Sequence, residues 1–139
     1  MKTLLSVLFT CVITLSFSQN LSVKIDNYEA SEGYIYIAVF DSQDAFEKRQ
    51  TPHRKKINVN DIHKPIVFKG LSKGTYCVSV FHDLNNNMEL DTKSSGIPNE
   101  PYGLSNNPGF GKPSFEKISF PFEHDKLVVI EMRTVKRSN

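Results

Sequence analysis

The chain has no tryptophan and only two cysteines in 139 residues. Cys11 lies in a stretch read below as a leader, which leaves Cys77 alone. A lone cysteine cannot form an internal disulfide, so packing must hold the fold. An excess of one charge is also lacking. Of 17 Lys and Arg only Lys2 falls in the leader, leaving 16 against 15 Asp and Glu. That near-balance gives no case for binding nucleic acid or an anionic membrane surface. No heptad or internal repeat recurs, and His53, His63 and His124 are scattered over polar stretches without zinc spacing.

The first residues read as an address. Lys2 supplies a positive start, Leu4 to Phe17 is mostly apolar, and Ser16 and Ser18 are small residues where a signal peptidase reads them. Residues 1–18 are expected to be a signal peptide cleaved before Gln19. The run is shorter than the roughly 20 residues of a comfortable membrane span. Thr10 before Cys11 is a poor lipoprotein signal. Residues 19–139 are then one exported domain, periplasmic or secreted, with no transmembrane segment after cleavage.

Strand patterns fill that domain. Leu21, Val23 and Ile25 alternate with polar residues, as in a half-buried strand. Residues 34–40 and 75–81 are apolar on both faces and rich in β-branched and aromatic residues, so both are expected to be central strands. Shorter strands are expected around 57–59, at 65–68, over 115–122 and over 127–132, the last two joined as a hairpin through residues 123–126. Asp41 or Ser42 is placed to cap a short helical turn, and residues 47–56 read as a polar surface connection. The fold class is all-β: about seven strands in two antiparallel sheets packed as a sandwich, with a small barrel as the alternative. Cys77, between apolar strand residues, reads as a buried inert thiol.

Residues 83–113 do not belong to a bare scaffold. They hold four glycines, four prolines and six asparagines and show no regular pattern. Loops this long in compact domains are usually functional or disordered. Leu90, Ile97, Tyr102, Leu104 and Phe110 are spaced as anchors that would fold the segment onto the sheets. Its first part carries oxygen side chains at alternate positions: Asp83, Asn85, Asn87, Glu89 and Asp91. A hard cation such as Ca²⁺ takes six to eight oxygens, from carboxylates, amides and backbone carbonyls together. In that reading Asp83 and Asp91 supply charge, Asn85 and Asn87 neutral oxygens, Glu89 its carbonyl, and Glu100 completes the shell. Met88 and Ser94 stand where an EF-hand loop has Gly and Glu, so the segment is not an EF-hand. The competing reading is an ion-free turn in which Asn and Asp side chains satisfy the backbone. His82 adjoins the segment as a catalytic base or a satisfied strand-end residue. Tyr102, Asn106 and Asn107, with His82 and Glu100, form a candidate ligand surface of aromatic and amide groups for a sugar or peptide.

The order of these segments resembles domain of unknown function family 2141. The resemblance is carried by Phe81-His-Asp-x-Asn-x-Asn87, Leu90-Asp91, Gly96-Ile-Pro-x-Glu100, Tyr102-Gly-x-Ser-Asn-Asn107 and Pro113-Ser-Phe-Glu116, with Val39-Phe-Asp-Ser42 and Gly70-Leu-x-x-Gly-Thr-Tyr76 upstream. It implies a small exported bacterial protein with a transthyretin-like or immunoglobulin-like sandwich and implies no particular activity. The leading expectation is a non-enzymatic binding module for a small molecule, a glycan or an envelope protein, with Ca²⁺ as its one cofactor. Two alternatives stand beside it: a hydrolase or isomerase using His82 with a nearby carboxylate, and a structural envelope component recruited by strand pairing.

Overall fold

The computed structural model describes residues 18–28, 32–107, 109 and 111–134. The expected signal peptide and the expected anchor Phe110 lie outside the described residues, apart from Ser18. The described elements are eight strands, two short α-helices and a 3-10 turn at Val59–Asp61. They run β1 (Gln19–Asp26), β2 (Tyr34–Phe40), α1 (Gln43–Glu47), β3 (His53–Asn58), β4 (Ile66–Leu71), β5 (Gly74–Asp83), β6 (Tyr102–Leu104), α2 (Phe115–Ile118), β7 (Phe120–Phe122) and β8 (Lys126–Glu131).

The strands form two sheets. One has the order β4-β1-β8, the other β3-β2-β5-β6, with β7 also paired to β5. Alternation sets their facing. Leu21, Val23 and Ile25 of β1 and Ile35, Ile37 and Val39 of β2 are buried, and with Val78, Val80, Phe122 and Ile130 they fill one core between the sheets. Burying branched apolar side chains at every second position is what a two-sheet sandwich requires. The all-β sandwich is therefore as expected, with eight strands in place of seven.

Three local expectations change. Residues 53–58 are a strand, paired along its length with β2 in the register Val39↔His53 to Tyr34↔Asn58. Its string of basic residues hides the strand because β3 is an edge, where one flank and one face meet water. Phe115–Ile118 is a helical turn, so only Phe120–Phe122 remains as strand. The link through 123–125 is not a hairpin: β7 pairs with β5, whereas β8 crosses to the other sheet and runs parallel to β1. Proximity in sequence favours a hairpin, but Ile130 is fully buried beside β1, and that burial outweighs it.

The two sheets approach closely where β6 meets β8. A Cβ added at Gly103 would lie 2.5 Å from Ile130 Cγ2 and 3.0 Å from the Glu131 carbonyl oxygen, so only glycine fits. Tyr102 and Arg133 bridge the two edges there, with Arg133 N–H donating to the Tyr102 carbonyl at 2.7 Å.

A second, smaller core covers the outer face of the larger sheet. Phe40, Cys77 and Ile118 are buried in it, with Ala45 and Phe46 of α1 and Phe115 of α2 packed against them. Ser42 caps α1 through its side chain, as the sequence indicates, accepting the Ala45 N–H at 3.3 Å. Burial pushes the Cys77 thiol up to about 12, against a smaller opposing hydrogen bond to the Phe40 backbone. A thiol held protonated and out of water is unreactive. Cys77 is therefore expected to resist a thiol-directed reagent at pH 8 in the folded protein and to react fully in denaturant. Stoichiometric labelling of the native protein within minutes would contradict this burial.

Candidate functional site

The site begins where β5 leaves the larger sheet. The last pair of the β2–β5 ladder is Tyr34↔Asp83. Gly33 lies against this strand end with φ of 93°, and a Cβ there would meet the Asp83 carbonyl oxygen at 2.3 Å. Glycine alone tolerates both the left-handed backbone and the close approach.

Asp83 is fully buried. Its Oδ1 accepts the Asn87 N–H at 3.2 Å and its Oδ2 accepts the Met88 N–H at 2.9 Å, so the chain folds back around one carboxylate. Two Asx turns continue the pattern. Asn85 Oδ1 accepts the Asn87 N–H at 3.1 Å, and Asn87 Oδ1 accepts the Glu89 N–H at 2.9 Å. Asn86 and Met88 take left-handed backbone, with φ of 59° and 68°. Met88 thus adopts at the sixth position of the segment the kind of sharp turn for which a calcium loop uses glycine. Its departure from glycine in the sequence leaves that backbone intact, held by the bond to Asp83.

The far end of the segment closes onto the same place. Asp91 Oδ2 and Oδ1 accept from the side-chain amides of Asn85 at 2.7 Å and Asn87 at 2.9 Å. The chain then makes a small reversal, with Lys93 N–H donating to the Ile97 carbonyl at 2.8 Å and Asn99 N–H to the Asp91 carbonyl at 2.7 Å. This reversal returns Glu100, which is buried at 4% exposure. Glu100 Oε1 accepts the Leu84 N–H at 2.9 Å and Oε2 the Asp91 N–H at 3.1 Å, so one carboxylate clamps the two ends of the segment together.

The structure therefore brings Asp83, Asn85, Asn87, Asp91 and Glu100 into one hydrogen-bonded unit. The Glu89 side chain is exposed and makes no hydrogen bond among the described residues, whereas its backbone N–H joins the unit through Asn87 Oδ1. Among the described residues neither Asp83 nor Glu100 has an ion-pair partner. The ion pairs among the described residues are Lys24–Asp26 and Lys48–Asp44, both at the surface. Among the described residues no three His, Cys, Asp or Glu side chains gather as a metal-binding group. A cation here would draw on amide and backbone oxygens as well as on carboxylates. Each oxygen that accepts one N–H keeps a second lone pair, so the donor chemistry suits a hard ion.

Lys56 is the nearby cation that sequence reading missed. Its Nζ donates to Asn86 Oδ1 at 3.1 Å and lies 4.0 Å from the Tyr34 ring centroid and 5.3 Å from that of Tyr36. The Tyr36 hydroxyl is buried and closes no hydrogen bond of regular geometry among the described residues. It is still close enough to be the main cause holding the Lys56 ammonium above its usual pKa, with Asp83 a smaller contributor. The signal for Lys56 was the β3 alternation, concealed by three consecutive basic residues.

The remaining candidates lie apart. His82 is fully buried, and its Nε2–H donates to the Glu32 carbonyl at 2.7 Å, since a carbonyl can only accept. His82 pairs with Ile35, a core residue, so its ring faces the interior of the sandwich. A catalytic base must reach its substrate, and this ring has no exposed surface to do so. Tyr102 and Asn107 gather around Arg133, whose guanidinium lies 5.8 Å from the Tyr102 ring and donates to Asn107 Oδ1 at 2.6 Å. Asn106 is tied to the Ser119 carbonyl at 2.6 Å. Of the expected anchors, Leu90, Tyr102 and Leu104 are half-buried, whereas Ile97 is exposed. Among the described residues no helix is long and apolar enough to cross a membrane.

Residues 23–130 match the model of a family described as an uncharacterized protein conserved in bacteria (DUF2141). No curated protein and no solved structure matches the chain.

Replacing Glu100 with Ala strands two backbone N–H groups and should cost on the order of 1–3 kcal/mol in denaturant unfolding. Glu89→Ala, at an exposed side chain, should stay within about 0.5 kcal/mol of the parent. Equal effects of the two substitutions would show that Glu100 is no clamp.

Proposed function

The chain belongs to the DUF2141 family of bacterial proteins, and we propose that it is an exported, non-enzymatic binding module whose 83–91 segment is completed by Ca²⁺. One observation carries the reading. Asp83 and Glu100 are buried carboxylates with no cationic side chain in ion-pair contact among the described residues. Buried charges are ordinarily paired or engaged with a metal, because uncompensated burial is costly. Backbone N–H groups offset part of that cost, but they carry only partial charge.

Asp83, Asn85, Asn87, Asp91 and the Glu89 carbonyl would hold the ion, with Glu100 clamping the ends of the turn. Ca²⁺ suits this set better than Mg²⁺ because it accepts many oxygens in irregular geometry, whereas Mg²⁺ demands a tight octahedron. The ion's role is structural. It would fix a long polar segment on the rim of a rigid sandwich, and such fixed loops are where binding surfaces usually lie. The burial of His82 favours this reading over a hydrolase or isomerase built on that residue.

Bound Ca²⁺ should raise the melting temperature of the purified protein relative to chelator. At a hundredfold excess over Kd the gain is about 2.7 kcal/mol. Asp83→Asn with Asp91→Asn should abolish the difference. Mg²⁺ at the same concentration should give a smaller shift. An identical midpoint in millimolar Ca²⁺ and in chelator would remove the metal from the proposal.

A further inference from the structure

Gln19 is the polar member of an apolar row. It opens β1, and with Leu21, Val23 and Ile25 it occupies the buried alternate positions of that strand. Only 8% of Gln19 is exposed. Its Nε2 donates to the Glu123 carbonyl, while its Oε1 is buried with no hydrogen-bond partner among the described residues. An acceptor left unpaired out of water destabilises the fold. The strand start is held from two sides. Gln19 pairs with Leu71 of β4, and the Asn20 N–H donates to Asp125 Oδ1 at 2.7 Å in the link before β8.

The same residue becomes the chain end in the proposed exported form, where cleavage falls between Ser18 and Gln19. An α-amino group is largely charged at neutral pH. Cleavage thus puts an ammonium and a primary amide on one core-facing residue, and burial disfavours both. Glutamine can also remove them by its own chemistry. Its amide carbon is a five-membered ring away from its own α-nitrogen, so the attack is intramolecular and needs no second reactant.

We infer that Gln19 is a modification site, which closes after cleavage to a pyroglutamyl lactam. The inference rests on the proposed export of the chain. The uncharged α-nitrogen attacks Cδ and a new N–Cδ bond forms. The Cδ–Nε2 bond breaks, and Nε2 leaves as ammonia with the proton that the α-nitrogen gives up. No oxidant, reductant or water takes part. The product keeps one N–H and one C=O and carries no charge. Glu123 is exposed, so water replaces the Nε2 donor that its carbonyl loses. The folded strand holds the Gln19 amide on Glu123, so closure precedes the docking of β1. An end without an α-amine is closed to aminopeptidases that bind the free ammonium, which suits an exported domain.

The test is intact-mass spectrometry of the full protein, isolated from the exported fraction of cells that naturally make it. The chain is expected to begin at Gln19 and to be lighter than the open sequence by one ammonia. A synthetic peptide of residues 19–28, carried through the same workup, reports closure caused by handling and should stay mostly open. A chain that begins at Gln19 with its full mass, or is closed only to the extent that the peptide is, would overturn the lactam and leave the cleavage standing. A chain that begins elsewhere would overturn the cleavage and the lactam with it. Open and closed forms separated by ion exchange should differ in melting temperature, the closed form being higher by a few degrees. An equal or lower midpoint would overturn the fit of the lactam to the core-facing position.

Discussion

Asp83 carries its charge out of water at the point where β5 leaves the sheet, and the segment that follows is built around that carboxylate. Two backbone N–H groups reach back to it, which forces the left-handed turn at Met88 and sets Asn85 and Asn87 in register for their own Asx turns. Glu100 repeats the device from the far side, joining Leu84 to Asp91. Both carboxylates depend on the rigidity beneath them. Gly33 leaves room for the β5 end to pack closely, and the β2–β5 ladder keeps it in place.

The distribution of charge over the molecule follows from the same fold. Acid concentrates where the larger sheet ends in the 83–91 segment. Basic groups concentrate along β3 and the facing end of β4, at the open edge of the sandwich. Neither cluster neutralises the other by direct ion pairs, and the two ion pairs among the described residues are local and exposed. Lys56 is the one basic side chain of β3 that reaches the acidic segment, and it does so through Asn86 rather than through a carboxylate. A balanced net charge can thus hide two separated regions of opposite sign on a small scaffold.

Much of this was legible in the residues. Alternation in Leu21, Val23 and Ile25 and the doubly apolar runs at 34–40 and 75–81 marked three strands that are all inner strands of the two sheets. The alternating oxygens at 83–91 marked the site because Asx turns need those side chains at that spacing. Glu100 was reachable only as a distant completing residue, since its approach depends on the small reversal at 91–99. Three things were not legible. β3 lacks apolar alternation because an edge strand has little to bury. The parallel pairing of β8 with β1 is a long-range choice made by core burial. The inward orientation of His82 follows from its pairing with Ile35, which no local pattern reports.

The account turns on the Asp83 carboxylate holding the backbone of its own loop, and the amide exchange rate of Met88 measures that directly. Met88 is 66% exposed, so an unbonded N–H there would exchange with solvent at the rate of an open chain. The expected result is protection of the Met88 amide in the native protein and loss of that protection in Asp83→Ala, with the β2–β5 ladder amides still protected. Free exchange at Met88 in the parent protein would contradict the loop, and with it the site.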